Sequence, residues 1–159
     1  MNCLSNARLI VSEMSGIFST TAIECGETFF STDCECREEW VTVERLSANF
    51  SNVLTMGSAN SKYQSILTLG VNLSDIEDFV GQIEDSDEII DIFGEFSNVY
   101  CAMLNDNNEF NSHFGVMNQS VPVLYNSGVP FLPFIAGIEG KLCSQKSWIS
   151  IGYAIQKID

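Results

Sequence analysis

The stretch DIFGEFSNVYCAMLN, Asp91 to Asn105, constrains the fold more than any other part of the sequence. Turning about 100° per residue from Ile89 gathers Ile92, Phe93, Phe96, Val99, Tyr100, Met103 and Leu104 into one broad arc, the pattern of a helix that turns one face to a core. Asp91, Glu95, Asn98, Ala102 and Asn105 fall on the opposite side and line up as a single stripe. Ser86 and Asp87 offer acceptors to the free amides of a first turn, so the spacing predicts a helix from there to about Leu104. Gly94 and Cys101 flank the stripe and Ala102 lies within it, which predicts a low outer face around Glu95 and Asn98 that a partner can approach closely. A glycine inside a helix costs about 0.5–1 kcal/mol relative to alanine, so Gly94 calls for a packing or docking reason. From the wheel alone, a solvated polar face is the plain alternative.

The elements around this helix read as α+β. Ala7, Ile10, Val11, Met14, Ile17 and Phe18 share one helical face, predicting a long first helix from about residue 5 to 21. The following TAIECGETFFSTDCECREE has no sustained period and reads as a variable connection. WVTVERL, FSNVLTMGS and SKYQSILTLGVN have strand character and suggest antiparallel hairpins. LSDIEDFVGQI predicts a short helix capped by Ser74. NDNNE reads as a loop, and SHFGVMNQSVPVLYNSG, VPFLPFIAG and SWISIGYAIQKI read as extended, with Pro122, Pro130 and Pro133 at strand starts, edges or turns. Helix, strands, helices and more strands predict one domain over residues 1–159, an antiparallel sheet packed against the long first helix and the two-faced one.

Charge and composition narrow the functions open to such a domain. Twenty-one acids against seven bases leave a formal charge of −14, so nucleic acid and an anionic membrane surface are poor partners. No apolar run approaches the ~18 residues of a membrane span, and the first twenty residues lack the charged start and unbroken apolar run of an export signal. A cytoplasmic setting is expected, where six cysteines are reduced thiols and not a disulfide framework.

The usual chemistry-bearing motifs are missing. Cys34 and Cys36, with Cys25 upstream, have no second pair at zinc spacing. His113 stands alone in a strand-like run and reads as structural. No cysteine is followed by an arginine six residues later, as cysteine-phosphatase chemistry needs. GIEGKL lacks the spacer and the Ser/Thr of a phosphate loop and reads as a β-turn. Phe29, Phe30, Phe131 and Trp148 can line either a core or an interface.

One resemblance gives the polar stripe a chemistry. DIFGEFSN followed later by VPVLYNSG resembles the CheX branch of the CheC/CheX/FliY chemotaxis phosphatases: an acid or serine, a Glu four residues on, an Asn three after it, and a distant Pro opening a strand. The matching positions are Asp91, Glu95, Asn98 and Pro122, with Gly94 in the G-E-x-x-N core. The gap from Asn98 to Pro122 is about one residue longer than the pattern, and the order of elements agrees along nearly the whole chain.

The resemblance implies a CheX-like phosphatase of a phosphorylated CheY-like response regulator, with Asn98 orienting water and Glu95 docking the regulator. Asp91 would extend the acidic contact or remain a surface charge, and Pro122 would be structural. No metal is expected on this chain, Mg2+ being supplied by the partner. The first helix has Glu13 but no asparagine three residues later, which implies one site per chain. A homodimer is implied as well. The alternatives are a non-catalytic CheX-like domain that binds a regulator or another signalling partner, and a dimerisation module whose exposed strands pair between chains.

Overall fold

A computed structural model describes residues 10–47, 49–125 and 137–158. In chain order these form α1 (Ser15–Phe30), β1 (Val41–Val43), β2 (Asn52–Ala59), β3 (Tyr63–Val71), a 3-10 turn (Leu73–Asp75), α2 (Glu77–Val80), α3 (Ser86–Asp106), α4 (Asn108–Phe114), β4 (Asn118–Gln119), β5 (Val123–Tyr125), β6 (Gly137–Ser144) and β7 (Ser147–Lys157). The strands make one antiparallel sheet in the order β1-β6-β7-β3-β2-β4, and β5 pairs β2 beside β4. The α+β architecture predicted from the sequence is the one observed.

Alternation along the central strands sets the core. Ile149, Ile151, Tyr153 and Ile155 of β7 point the same way as Leu67 and Leu69 of β3 and Leu54 and Met56 of β2, because the register pairs Tyr153 with Leu67 and Leu69 with Leu54. Helices α1, α3 and α4 cover this face. Phe18 of α1 meets Tyr153 at 5.1 Å between ring centroids and Phe110 of α4 at 6.1 Å, while Phe30 stacks on Phe96 of α3 at 5.4 Å. The buried Tyr100 hydroxyl of α3 donates to the Phe18 carbonyl at 2.9 Å, tying the two long helices together. Ser97, also buried in α3, donates to the Phe93 carbonyl at 2.7 Å, so no polar group is left bare there.

The hairpin predicted from FSNVLTMGS and SKYQSILTLGVN is β2 and β3, turned by Asn60, whose side-chain oxygen accepts from the Lys62 and Tyr63 amides. SWISIGYAIQKI is β7. Other elements differ from the sequence reading. The first helix runs on to Phe30, well past residue 21, because Phe18, Ala22, Cys25 and Gly26 keep the inward spacing while Glu24 and Glu27 stay exposed. Its predicted start before residue 10 lies outside the described residues. Of WVTVERL only Val41–Val43 is strand.

Ser74 does not cap the short helix but sits in the 3-10 turn, and α2 starts at Glu77 with no side-chain cap. The cap of α3 is Asp85, accepting from the Asp87 amide at 3.0 Å. NDNNE is largely helical: α3 reaches Asp106, and Asn107 then caps α4 by accepting from the Glu109 and Phe110 amides. His113 therefore sits exposed on α4 and not in a strand. GIEGKL is not a turn but the body of β6, where the missing side chain of Gly140 gives the Trp40 ring its place. Between β4 and β5 the predicted extended run narrows to two short edge strands, and Pro130, Phe131 and Pro133 lie outside the described residues.

Candidate functional site

Helix α3 crosses the helical layer with its apolar arc inward: Ile89, Phe93, Phe96, Tyr100 and Leu104 are buried, and Ile92, Val99 and Met103 pack partly buried against the same core. The stripe opposite them is divided by the tertiary structure. Asp91 and Glu95 are exposed and Asn98 is half-buried, and none of the three makes a hydrogen bond or ion pair with another described residue. Glu95 and Asn98 stand one turn apart on the same outward side.

Asn105, lower on the same stripe, is engaged. Its side-chain amide donates to the Met117 carbonyl at 3.0 Å, and the Met117 amide donates back to its side-chain oxygen at 3.1 Å. The segment after α4 is thereby clamped to the last turns of α3. Helical spacing does not separate Asn105 from Asn98; only the Glu three residues before Asn98, which Asn105 lacks, marks the two apart in the sequence.

The low surface expected at Gly94 is filled. A Cβ built on Gly94 would stand 3.4 Å from Pro122 Cγ and 3.7 Å from its Cβ, so the residue before β5 covers this point of the helix in ordinary van der Waals contact. Gly94 is buried as a result. What covers it is Pro122, the residue that precedes β5, and not a partner. Cys101 is also buried, and desolvation pushes its thiol up to about 12, partly opposed by the Ser58 hydroxyl. Ala102 stays exposed within the stripe.

The remaining candidates separate cleanly. Phe29 and Phe30 belong to the core, edge-to-face with each other at 5.0 Å. Trp148 is half-buried, with the Lys141 ammonium 4.5 Å from its ring centre. The five described cysteines are free thiols; burial raises Cys25 to about 12 and Cys34 to about 11, the latter aided by Glu27 and Asp33. Among the described residues no group of three or more His, Cys, Asp or Glu is placed to hold a metal ion, and no helix is long and apolar enough to cross a membrane.

Part of the acidic surplus gathers away from Asn98. Glu35 exchanges both backbone hydrogen bonds with Cys143 of β6, and the Asp78 carboxylate accepts from the Lys146 and Ser147 amides at the β6–β7 turn. The stripe's anchors, Met117 and Pro122, adjoin β4 and β5 on the side of β2 away from β3, separated from β6 by β7 and β3.

No family model matches the sequence, and no curated protein matches it. Solved structures do. The chemotaxis protein CheX from Desulfovibrio desulfuricans is 12% identical, with 91% of this chain and 99% of that one covered at a TM-score of 0.67. A CheC-like superfamily protein from Shewanella sp. PV-4 is 14% identical, with 98% and 99% covered at 0.65. A chain of the CheX–CheY–BeF3–Mg2+ complex from Borrelia burgdorferi is 12% identical, with 87% and 95% covered at 0.52. Identities this low speak of architecture, and they agree with the element order and sheet described above: this chain has the fold of the CheX and CheC-like chemotaxis proteins.

Proposed function

We propose that this chain is a CheX-like phosphatase that docks on a CheY-like response regulator and hydrolyses its aspartyl phosphate. The observation that carries the reading is the outward pair Glu95 and Asn98, one turn apart on α3 and without a hydrogen-bond partner among the described residues. The CheX–CheY complex among the fold neighbours supports a regulator as the partner.

The chemistry asked of such a pair is positioning. Water must approach phosphorus in line with the bond to the aspartyl oxygen; the new P–O bond forms as that bond breaks, and the carboxylate leaves as an anion. The Asn98 side chain accepts through its carbonyl and donates through its NH2, so it can hold the water at a set angle without acting as a base. Glu95 pairs with a lysine at the rim of the regulator's pocket and sets the register of docking. Charge on the phosphoryl oxygens is neutralised by Mg2+ that the regulator carries. Asp91, exposed one turn before Glu95, adds to the negative rim.

The test follows the decay of phosphate on CheY-type regulators of the source organism, charged with acetyl phosphate, with wild type and with Asn98→Ala. Acceleration by wild type that Asn98→Ala loses while still binding is the expected result. Binding without acceleration by wild type would make this a non-catalytic regulator-binding domain.

A further inference from the structure

The stripe on α3 does not stand alone: residues 117–122 run beside it. Met117 is hydrogen-bonded both ways to Asn105, and Pro122 packs on Gly94, so the segment travels back along α3 from its last turns to its middle. The lengths agree, since Gly94 to Asn105 rises about 16 Å as helix and Met117 to Pro122 spans about 17 Å as extended chain. Asn98 and Ala102 lie between these two anchors along the helix.

Val121 is the residue this arrangement displays. It is 79% exposed, more than Val41, Val116 or Val123. A loose loop does not explain this, because both neighbours are held. The Ser120 amide donates to the Gly57 carbonyl at 2.8 Å and its hydroxyl accepts from the Gly57 amide at 3.1 Å, while Pro122 is seated on Gly94. A single exposed valine is ordinary on a protein surface. Here it is held between Ser120, bound to Gly57, and Pro122, which packs on Gly94, the residue before Glu95.

We infer that residues 118–121, with Val121 as the apolar contact, form the second half of the docking surface for the response regulator, so that the partner straddles α3 and this segment together. The inference rests on the function proposed above. The occupant is a folded partner whose contact surface sets a cation against Glu95 and an apolar side chain against Val121. A second copy of this chain fits poorly, because it would bring Asp91 and Glu95 toward like charges on a chain of net charge −14.

The experiment compares Val121→Asp with Val41→Asp, a valine 55% exposed on β1 at the opposite edge of the sheet. Circular dichroism checks that both fold, and the regulators are those charged with acetyl phosphate above. Val121→Asp is expected to weaken regulator binding and raise KM at least about tenfold with kcat kept, and Val41→Asp to leave both unchanged. On adding regulator to wild type, the amide resonances of residues 118–121 should move together with that of Asn98, and those of β1 should stay. Wild-type acceleration untouched by Val121→Asp would overturn the inference and leave the phosphatase reading standing. Binding that Val121→Asp weakens, with no acceleration by wild type, would support the docking surface and end the phosphatase reading. Equal effects of the two substitutions, or no binding by any regulator, would overturn the inference.

Discussion

Pro122 lies against Gly94 where a side chain would otherwise stand, at 3.4 Å from the place of a Cβ. That separation is ordinary van der Waals contact, so a methyl group fits, whereas a longer side chain directed at Pro122 would have to displace it. Gly94→Ala should keep the fold and stabilise it by about 0.5–1 kcal/mol, the difference in helix preference. Gly94→Leu should push Pro122 off α3 and destabilise by about 1–3 kcal/mol. Urea unfolding of the two variants decides the matter, and a stabilised leucine variant would show that the contact is not tight.

Glu95 and Asn98 should divide the kinetics between them. Asn98→Ala is expected to lower kcat on the order of 100-fold, the loss that follows when a reacting group is no longer held in position. Glu95→Ala is expected to raise KM about fivefold and spare kcat, since an exposed ion pair contributes up to about 1 kcal/mol. Steady-state phosphate release over a range of regulator concentrations separates the two, and a shared effect on kcat would remove the distinction.

Asn105 should matter to stability where Asn98 does not. Asn105→Ala deletes both hydrogen bonds to Met117 and leaves a backbone amide and carbonyl without their partner, at a cost of about 1–3 kcal/mol. Asn98→Ala, which removes no internal bond among the described residues, should stay within about 0.5 kcal/mol of wild type. Thermal melts of the two single variants compare them directly.

The buried thiols give a prediction for alkaline pH. Cys25 and Cys101 rise from the ordinary 9.0 to about 12 in the folded chain, chiefly by desolvation. Above about pH 9 the unfolded chain gives up these protons and the folded chain keeps them, so the stability they contribute falls as pH rises toward 12. Urea midpoints measured from pH 8 to 11 should therefore decline, and less steeply in Cys25→Ala/Cys101→Ala than in wild type. At pH 8 iodoacetamide should reach both thiols only after unfolding.

Periodicity alone revealed the two faces of α3, the β2–β3 hairpin and β7, because side-chain spacing in a helix or strand is a property of the local chain. The same local reading stopped α1 too early, since the small residues Ala22 and Gly26 look like a connection until a neighbour packs on them. It read GIEGKL as a turn for a like reason: Gly140 serves in a strand only because Trp40 covers it. In the candidate site, helical spacing placed Asp91, Glu95, Asn98 and Asn105 on one outward stripe but could not rank them, and only the motif resemblance singled out Glu95 and Asn98. The two asparagines have identical chemistry. Met117 and Pro122, remote in the chain, occupy Asn105 and Gly94 and leave Asn98 free among the described residues. The sequence by itself determined which groups face outward, because that follows from helical spacing. Which of them is left for a partner was decided only by tertiary contacts, because a hydrogen-bonding group is free or engaged according to what the rest of the fold brings beside it.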